Sequence, residues 1–319
     1  MLISEDGENL RSRSAPIAFM AIGRIWVNNH AHVVTGNESA DTRFLHYLLA
    51  VTDVTGYLTG SAQPKLSKTA LESIVVKLPE VTEQRRIAGV LGALDGKIAA
   101  STSLVDTSEA LVSALAALIE PGVALSDVVI HHGRMRSPET MADAYVEHYS
   151  LPAFDSAHAP ELVVPSVIKS GKFEVAQPSV LVSKLNPRFP RIWDVPEVGS
   201  IAALASTEFL VLESLHSSSS VLWAVLSQPA FSSALEAQVS GTSGSHQRVR
   251  PADLLATKVI DPRAMSVEVK DAITALGQCI AAHRTESRNL AELRDALLPE
   301  LMSGRLRVKD AEKAVGEVA

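Results

Sequence analysis

Apolar residues in the C-terminal third of the chain recur at alternating spacings of three and four. The apolar positions of this heptad are Ile273, Leu276, Ile280, Leu290, Leu297 and Leu301. Its remaining positions hold His283, Ser287 and Arg294. The pattern predicts a helix from about 267 to 301 that pairs with a partner helix as a coiled coil with polar interruptions. At about 1.5 Å per residue, such a helix is roughly 50 Å long.

An earlier stretch, from 82 to about 118, predicts the partner helix. Its apolar positions include Ile87, Leu91, Leu94, Ile98, Leu111 and Leu115. The sequence Glu120-Pro121-Gly122 predicts where this helix stops, and Pro299 predicts a break or kink in the last turn of the C-terminal helix.

Outside these helices, short apolar runs alternate with turn residues. They predict strands at 2–3, 17–20, 25–27, 32–34, 71–78, 180–182 and 209–212, and short helices at 44–51 and 221–226. Polar, basic loops are predicted at 60–68 and 241–250.

The chain matches itself when it is shifted by 179 to 183 residues. Leu2-Ile3-Ser4 falls on Leu181-Val182-Ser183, Lys65 meets Arg248, and Ile98-Ala99-Ala100 meets Ile280-Ala281-Ala282. A nearly constant offset over this length predicts two copies of one unit, a globular domain followed by a long helix. The fold class predicted is mixed α/β, with two globular domains and two paired helices.

The repeat divides the chain into five parts and shows a difference between the copies. The parts are a first globular domain (1–80), a helix (81–120), a second globular domain (121–262), a helix (263–304) and a charged tail (305–319). Residues 121–180 have no counterpart in the first copy, so about 60 residues of the first domain are expected to be absent. A late start codon, a truncated gene and a natural half-length variant all remain open.

Composition narrows the class of protein. The 319 residues carry a formal net charge of −7, which argues against indiscriminate coating of nucleic acid. The one cysteine, Cys279, cannot form an intrachain disulfide. No run of about 18 apolar residues predicts a membrane span, and the N-terminus lacks a signal-peptide pattern, so a cytoplasmic location is expected.

Catalytic motifs are weak. Gly241-Thr242-Ser243-Gly244-Ser245 departs from the Gly-x-Ser-x-Gly elbow, and the histidine pairs lack companions for a metal set. Asn186-Pro187-Arg188-Phe189 is close to the Asn/Asp-Pro-Pro-aromatic motif of adenine methyltransferases, but no Gly-x-Gly-x-x-Gly loop accompanies it. No catalytic or metal residue and no cofactor is predicted for this chain.

Two segments reverse the sign of the overall charge and predict contacts with DNA. Residues 165–195 have a net charge of +3, and residues 241–258 have a net charge of +2. Lysine and arginine bind phosphates, whereas Asn, Gln and Arg also read base edges. The candidates are Gln63, Lys65, Ser67, Lys68, Lys184, Asn186, Arg188, Arg191, Thr242, Ser243, Ser245, His246, Gln247, Arg248 and Arg250. A solvated basic loop is the alternative interpretation.

Several stretches together resemble the specificity subunit of type I restriction–modification systems. They are Leu78-Pro79 with Glu83-Gln84-Arg85-Arg86-Ile87, and the segments 149–155, 181–188, 241–249 and 293–304. The resemblance implies two target-recognition domains on two antiparallel helices, each domain reading half of a split double-stranded DNA site. It further implies methyltransferase subunits docked on the helices and a motor–nuclease subunit. S-adenosylmethionine, ATP and Mg are then expected only in those partner subunits.

Three alternatives remain at this point. A truncated half-subunit would act as a homodimer that reads a symmetric site. A coiled-coil adaptor would bind protein only. A DNA adenine methyltransferase would require S-adenosylmethionine binding by this chain alone. The DNA target sequence does not follow from the residues.

Overall fold

The computed structural model describes residues 1–117, 119, 121–238 and 247–318. Its α-helices are α1 (Asn9–Ser12), α2 (Thr42–Val51), α3 (Lys68–Glu72), α4 (Val81–Ala116), α5 (Leu151–Ala157), α6 (Ser219–Leu226), α7 (Pro229–Ala237), α8 (Pro251–Ala256), α9 (Val267–Ser303) and α10 (Val308–Val318). Its strands are β1 (Leu2–Ser4), β2 (Ala18–Phe19), β3 (Ala31–Val33), β4 (Pro121–Ala124), β5 (Val129–His132), β6 (Met135–Arg136), β7 (Val146–Tyr149), β8 (Glu161–Val163), β9 (Lys172–Val175), β10 (Ser179–Ser183), β11 (Ile192–Val195), β12 (Ala203–Ala205), β13 (Phe209–Ser214) and β14 (Lys258–Ile260).

The chain forms two compact units. Unit 1 comprises Met1–Ala99 and Asn289–Ala319, and unit 2 comprises Ala100–Arg288. The boundary between them falls within both α4 and α9, so each unit contains part of each long helix. The five-part division drawn from the sequence follows the chain rather than these units, and it stays a prediction.

Unit 1 contains a three-stranded antiparallel sheet in the order β2-β1-β3. One face of this sheet packs into a core with Leu10, Val54 and Leu66. A second cluster joins α2 to the paired helices, where Ile87, Leu91 and Leu94 of α4 pack with Leu290, Leu297 and Leu301 of α9. Tyr47 of α2 donates a hydrogen bond to Asp95 of α4 (2.5 Å), and Arg294 of α9 binds the other oxygen of Asp95 (2.9 Å).

Unit 2 contains two larger sheets. The first has the antiparallel order β11-β10-β13-β5, and the second has the order β6-β9-β12-β7-β8 with a parallel β7–β12 pair. The fully buried helix α6 packs in one core with Val180, Val182 and Leu210 from one face of the first sheet. The other face of that sheet packs under the second sheet and α5. Strands β4 and β14 form a separate ladder.

The predicted helix pair and mixed α/β class are confirmed. In unit 2, Val105 and Val112 of α4 share a core with Ile273 and Ile280 of α9, and Leu276 packs at its margin. Ser101 of α4 also hydrogen-bonds Glu286 of α9 (3.0 Å). In unit 1, Ile98 packs at the margin of the helix-pair core.

One predicted position of the α4 pairing surface is wrong. Leu111 is 48% exposed, whereas its neighbour Val112 is buried. The heptad continues from Ile98 through Ser101, Val105, Ser108 and Val112, and both serines are buried. Two positions of the pairing surface are therefore occupied by serine, and a search for apolar residues alone does not detect them. Leu115 lies at the margin of the same core.

Other sequence expectations also need correction. Residues 25–27 form no strand because they lie in the exposed β2–β3 connection. The strand predicted at 71–78 is also wrong, because this stretch begins inside α3 and forms no strand after it. Ser67 caps α3 by accepting a hydrogen bond from the Ala70 amide (3.2 Å). The helix α9 continues through Pro299 to Ser303, supported by the buried Leu297 and Leu301. The charged tail forms α10, with Val308 and Ala311 buried.

Candidate nucleic-acid interface

The predicted basic segments of unit 2 meet beside the end of β10. The Asn186 amide donates to the Gln247 carbonyl (2.8 Å), and the Val249 amide donates to the Lys184 carbonyl (3.0 Å). Residues Leu185 and Arg248 form the isolated bridge between these bonds. The β10–β11 loop (residues 184–191) is therefore tied to the segment 247–250.

Unit 1 repeats this arrangement bond for bond. Its Leu66 amide donates to the Glu5 carbonyl (2.7 Å), and its Gly7 amide donates to the Pro64 carbonyl (3.0 Å). Asp6 and Lys65 form the bridge between them. The structure thus confirms that Lys65 and Arg248 are equivalent, whereas Gln247 corresponds to Pro64 rather than to Gln63.

A left-handed residue opens the loop in both units. Gly7 has φ +113° and Asn186 has φ +56°. Glycine and asparagine are the residues that most readily adopt this conformation. In unit 2 the Phe189 amide closes a turn by donating to the Asn186 carbonyl (2.9 Å), with Pro187 buried inside it.

Most candidate cations are held by carboxylates. Arg248 forms a two-bond pair with Glu208 (3.1 and 2.8 Å), Arg191 does so with Asp155 (2.7 and 2.8 Å), and Arg250 does so with Asp253 (2.7 and 3.1 Å). The hydrogen bond to Glu208 raises the pKa of Arg248, and the hydrogen bond from Arg191 lowers the pKa of Asp155. These ion pairs hold the loop in place. They also neutralise positive charge that would otherwise be available to bind a phosphate.

The equivalent cations of unit 1 are also paired. Lys65 lies 3.0 Å from Glu5, and its pKa is raised by that hydrogen bond. Lys68 lies 3.7 Å from Glu72 one turn along α3. Gln63 is exposed, and Ser67 is occupied as the cap of α3.

Three polar side chains of the β10–β11 loop make no hydrogen bond or ion pair with other residues that the structure describes. They are Lys184, Asn186 and Arg188. Arg188 is exposed and lies 5.9 Å from the ring centre of Phe189, which is itself 60% exposed. Lys184 is half-buried. The pKa of His131 is lowered first by the burial of its own ring and then by the positive charge of Lys184. Arginine with asparagine on a fixed loop is a combination that reads base edges.

The remaining candidates fall outside this description. Thr242, Ser243, Ser245 and His246 lie beyond the described residues. Within the described ranges, no group of three His, Cys, Asp or Glu side chains is placed to hold a metal ion. None of the described helices is both long enough and apolar enough to cross a membrane. The sequence analysis named Phe189 within the Asn186-Pro187-Arg188-Phe189 motif but not among the DNA-binding candidates, because its 60% exposure is set by the fold.

The fold is that of a protein with two mixed α/β units and a pair of long helices. Comparison with known proteins agrees. Residues 6–105 match the family described as the type I restriction modification DNA specificity domain. A putative type I restriction enzyme specificity subunit from Haemophilus influenzae is 37% identical over 95 residues, which are 30% of this chain and 24% of that relative.

One solved structure shows a similar fold. A crystal structure of a type I restriction–modification S subunit from M. genitalium superimposes with a TM-score of 0.56 at 13% identity, covering 82% of this chain and 73% of that one. An HsdS subunit from Thermoanaerobacter tengcongensis gives 0.33 at 18% identity, covering 84% and 72%. The predicted resemblance to type I specificity subunits is confirmed, and the matched descriptions are of specificity proteins rather than of catalytic subunits.

Proposed function

We propose that this chain is the non-catalytic DNA-recognition subunit of a type I restriction–modification complex, and that unit 2 reads DNA through the β10–β11 loop. The observation that carries the proposal is the fixed loop on which the side chains of Asn186 and Arg188 make no hydrogen bond or ion pair with the described residues. The match of residues 6–105 to a DNA specificity domain supports the same role for the chain.

Methyltransferase subunits would dock on the helices. Leu104 and Leu111 support this, because both lie on α4 seven residues apart and each is 48% exposed outside the pairing surface. Exposed leucines one heptad apart form a stripe suited to another helix. A motor–nuclease subunit would join the same complex. S-adenosylmethionine, ATP and Mg would bind in these partners, and the location would be the cytoplasm, where the DNA is.

The test is a map of adenine methylation. The chain is expressed with its cognate methyltransferase subunit in a host that lacks DNA methylation, and N6-methyladenine is located across the genome. A split, asymmetric motif supports two working recognition units, and a symmetric motif supports paired copies of unit 2. A folded complex that methylates no defined motif contradicts the proposal and favours a protein-only adaptor. Binding of S-adenosylmethionine by the isolated chain would instead favour a methyltransferase.

Single substitutions sharpen this test. Arg188→Ala or Asn186→Ala is expected to relax the motif at one position, at a cost of about 1–3 kcal/mol in binding. Arg263→Ala is the matched control, because Arg263 is half-exposed and paired with Asp261 away from the loop. Lys184→Ala, if Lys184 contacts phosphate, should weaken all sites alike and reduce the salt dependence of binding by about one charge.

A further inference from the structure

The β10–β11 loop is held at both of its ends. At its start it is tied to the segment 247–250. At its end, the Ser183 amide donates a hydrogen bond to the Arg191 carbonyl (2.9 Å), and the Arg191 guanidinium binds both oxygens of Asp155 (2.7 and 2.8 Å). The tip of the loop, residues 188–190, is exposed. Its side chains are therefore presented outwards from a backbone that is fixed on both sides.

The tip carries an aromatic ring that belongs to no core of unit 2. Phe189 is 60% exposed, whereas Phe209 and Phe231 are at most 2% exposed. Phe154 and Phe173 pack against the core that lies between the two sheets. An isolated apolar residue on a surface is ordinary, so exposure alone assigns no role to Phe189.

The neighbours of this ring on the same turn give it a role. The Phe189 amide closes the turn on the Asn186 carbonyl (2.9 Å), and the Arg188 guanidinium carbon lies 5.9 Å from the ring centre, over one face of the ring. The side chains of Asn186 and Arg188 make no hydrogen bond or ion pair with the described residues. The turn thus presents two groups that can hydrogen-bond to base edges and, beside them, one apolar group.

We propose that Phe189 reads thymine, by packing its ring against the 5-methyl group in the major groove within two base pairs of the base that Arg188 contacts. This inference rests on the proposed DNA-recognition function and names a specificity determinant within it. The 5-methyl group distinguishes thymine in the major groove, and phenylalanine is among the side chains that make apolar contacts with it.

The spacing of the two side chains sets the limit of two base pairs. Successive base pairs are about 3.4 Å apart along the helix, so two steps span about 6.8 Å. The 5.9 Å between the Arg188 guanidinium carbon and the centre of the Phe189 ring lies within this span. Arginine in the major groove binds O6 and N7 of guanine. The expected signature is a guanine and a thymine, on either strand of the motif, at most two positions apart.

The surroundings of the ring favour this contact over a wedge between bases. A side chain inserted between stacked bases contacts a base on each face, and the Arg188 guanidinium lies over one face of Phe189. Lys184 and Arg188 are cations that form no ion pair with the described residues, so the ring has a positive surrounding that suits the edge of a polyanion.

Deoxyuridine in place of thymine tests the proposal, because it removes the 5-methyl group and leaves the hydrogen-bonding groups of the base pair unchanged. The full-length chain, in complex with its cognate methyltransferase subunit, is titrated with duplexes that carry the motif found by the methylation map. The thymines of the motif are replaced one at a time. Loss of one buried methyl contact is expected to raise the dissociation constant about fourfold. That rise should occur at a thymine within two base pairs of the position that Arg188→Ala relaxes.

Variants at position 189 assign the effect to the ring. Phe189→Ala should bind the thymine and deoxyuridine duplexes equally, and Phe189→Leu should keep part of the preference because it retains an apolar side chain. Leu215→Ala is the matched control and should keep the full fourfold difference. Leu215 is 46% exposed but follows β13 at the end of the sheet away from the loop, since Phe209 at the other end of β13 pairs with Ser183.

Three results would overturn the proposal. One is a motif with no thymine within two base pairs of a position that Arg188→Ala relaxes. Another is a duplex series in which no deoxyuridine weakens binding. The third is a Phe189→Ala variant that keeps the full methyl preference and relaxes only the position read by Arg188, which would make the ring a support for that side chain. In all three cases, specific binding of the complex to its motif leaves the proposed function standing. A folded complex that binds no defined motif removes both.

Discussion

At the scale of single residues, the carboxyl group of Asp194 stands out, because it is buried on β11 without a cation bound to it. One oxygen accepts a hydrogen bond from Ser220 (2.6 Å), and the other has no partner. Burial raises the pKa of Asp194 to about 6, although the hydroxyl groups of Ser219 and Ser220 beside it act in the opposite direction. Between about pH 4 and 6 the folded protein therefore holds a proton that the unfolded chain has lost.

This pKa predicts how stability depends on pH. Because the folded state binds the extra proton, the free energy of unfolding should fall as pH rises from about 4 to about 6. Asp194→Asn removes the charge, so it should leave stability unchanged near pH 4 and raise it above pH 6 by up to about 3 kcal/mol. Urea denaturation at several pH values measures this.

Asp155 provides the opposite control. Arg191 holds the pKa of Asp155 below its ordinary value, so the stabilisation from this pair is present at neutral pH and lost in acid. Asp155→Asn should therefore destabilise unit 2 at pH 7 and have no effect at low pH. An Asp194→Asn variant that is less stable than the parent at pH 7.5 would contradict the account given for Asp194.

Gln84 explains part of the motif at the start of α4. It is fully buried, donates to the carbonyls of Ser39 (2.8 Å) and Pro79 (2.8 Å), and accepts from the Asp41 amide (2.8 Å). It therefore ties the start of α4 to the loop before α2. The Glu83-Gln84-Arg85-Arg86 sequence is in this respect a structural anchor rather than a contact surface.

Replacing Gln84 tests this anchor. Gln84→Leu leaves three backbone groups without their partner and is expected to lower the free energy of unfolding by about 2–4 kcal/mol. The neighbouring Arg85 is two-thirds exposed and lies 3.9 Å from Asp41, so Arg85→Ala should change stability by less than about 0.5 kcal/mol. Equal losses for both variants in thermal or urea unfolding would exclude this role for Gln84.

At the scale of elements, Gly277 allows α9 to lie close to α6. A Cβ atom at position 277 would stand 2.1 Å from the Ser220 hydroxyl and 3.2 Å from an Asp194 oxygen. The spacing of apolar residues along α9 carries no sign of this, because the approach depends on which helix lies beside it. The same limit explains why Leu111 was placed on the pairing surface and Val112 was not.

Replacing glycine by alanine in the two long helices should change stability in opposite directions. Gly277→Ala is expected to destabilise the protein by about 1–3 kcal/mol through the forced contact with Ser220. Gly89→Ala in α4, where an added Cβ meets nothing within 4 Å, is expected to stabilise it by about 0.5–1 kcal/mol. The midpoints of urea unfolding for the two variants measure the difference, and a stabilising Gly277→Ala would contradict the close approach.

At the scale of the whole molecule, the two units share the backbone bonds that hold the loop beside the central strand of each sheet. They differ where unit 2 has a second sheet. The bridges Asp6–Lys65 and Leu185–Arg248 lie at offsets of 179 and 183 residues, within the range read from the sequence. The shared frame holds a loop in each unit, yet only unit 2 has a second sheet among the described residues.

The sequence by itself determined the periodic features. The heptad patterns predicted the two long helices, because a helix with one apolar stripe must bury that stripe. The internal match at an offset of 179 to 183 residues predicted the repeated unit. Local composition also gave the strands at 180–182 and 209–212 and the helix at 221–226. These features depend on residues near each other in the chain.

Only the tertiary structure decided which polar groups remain free. Arg191 and Arg248 looked equivalent to Arg188 along the chain, but in the fold they pair with Asp155 and Glu208, which lie 36 and 40 residues away. Pairing and burial are set by contacts between distant segments, and a one-dimensional pattern of polarity does not contain those contacts.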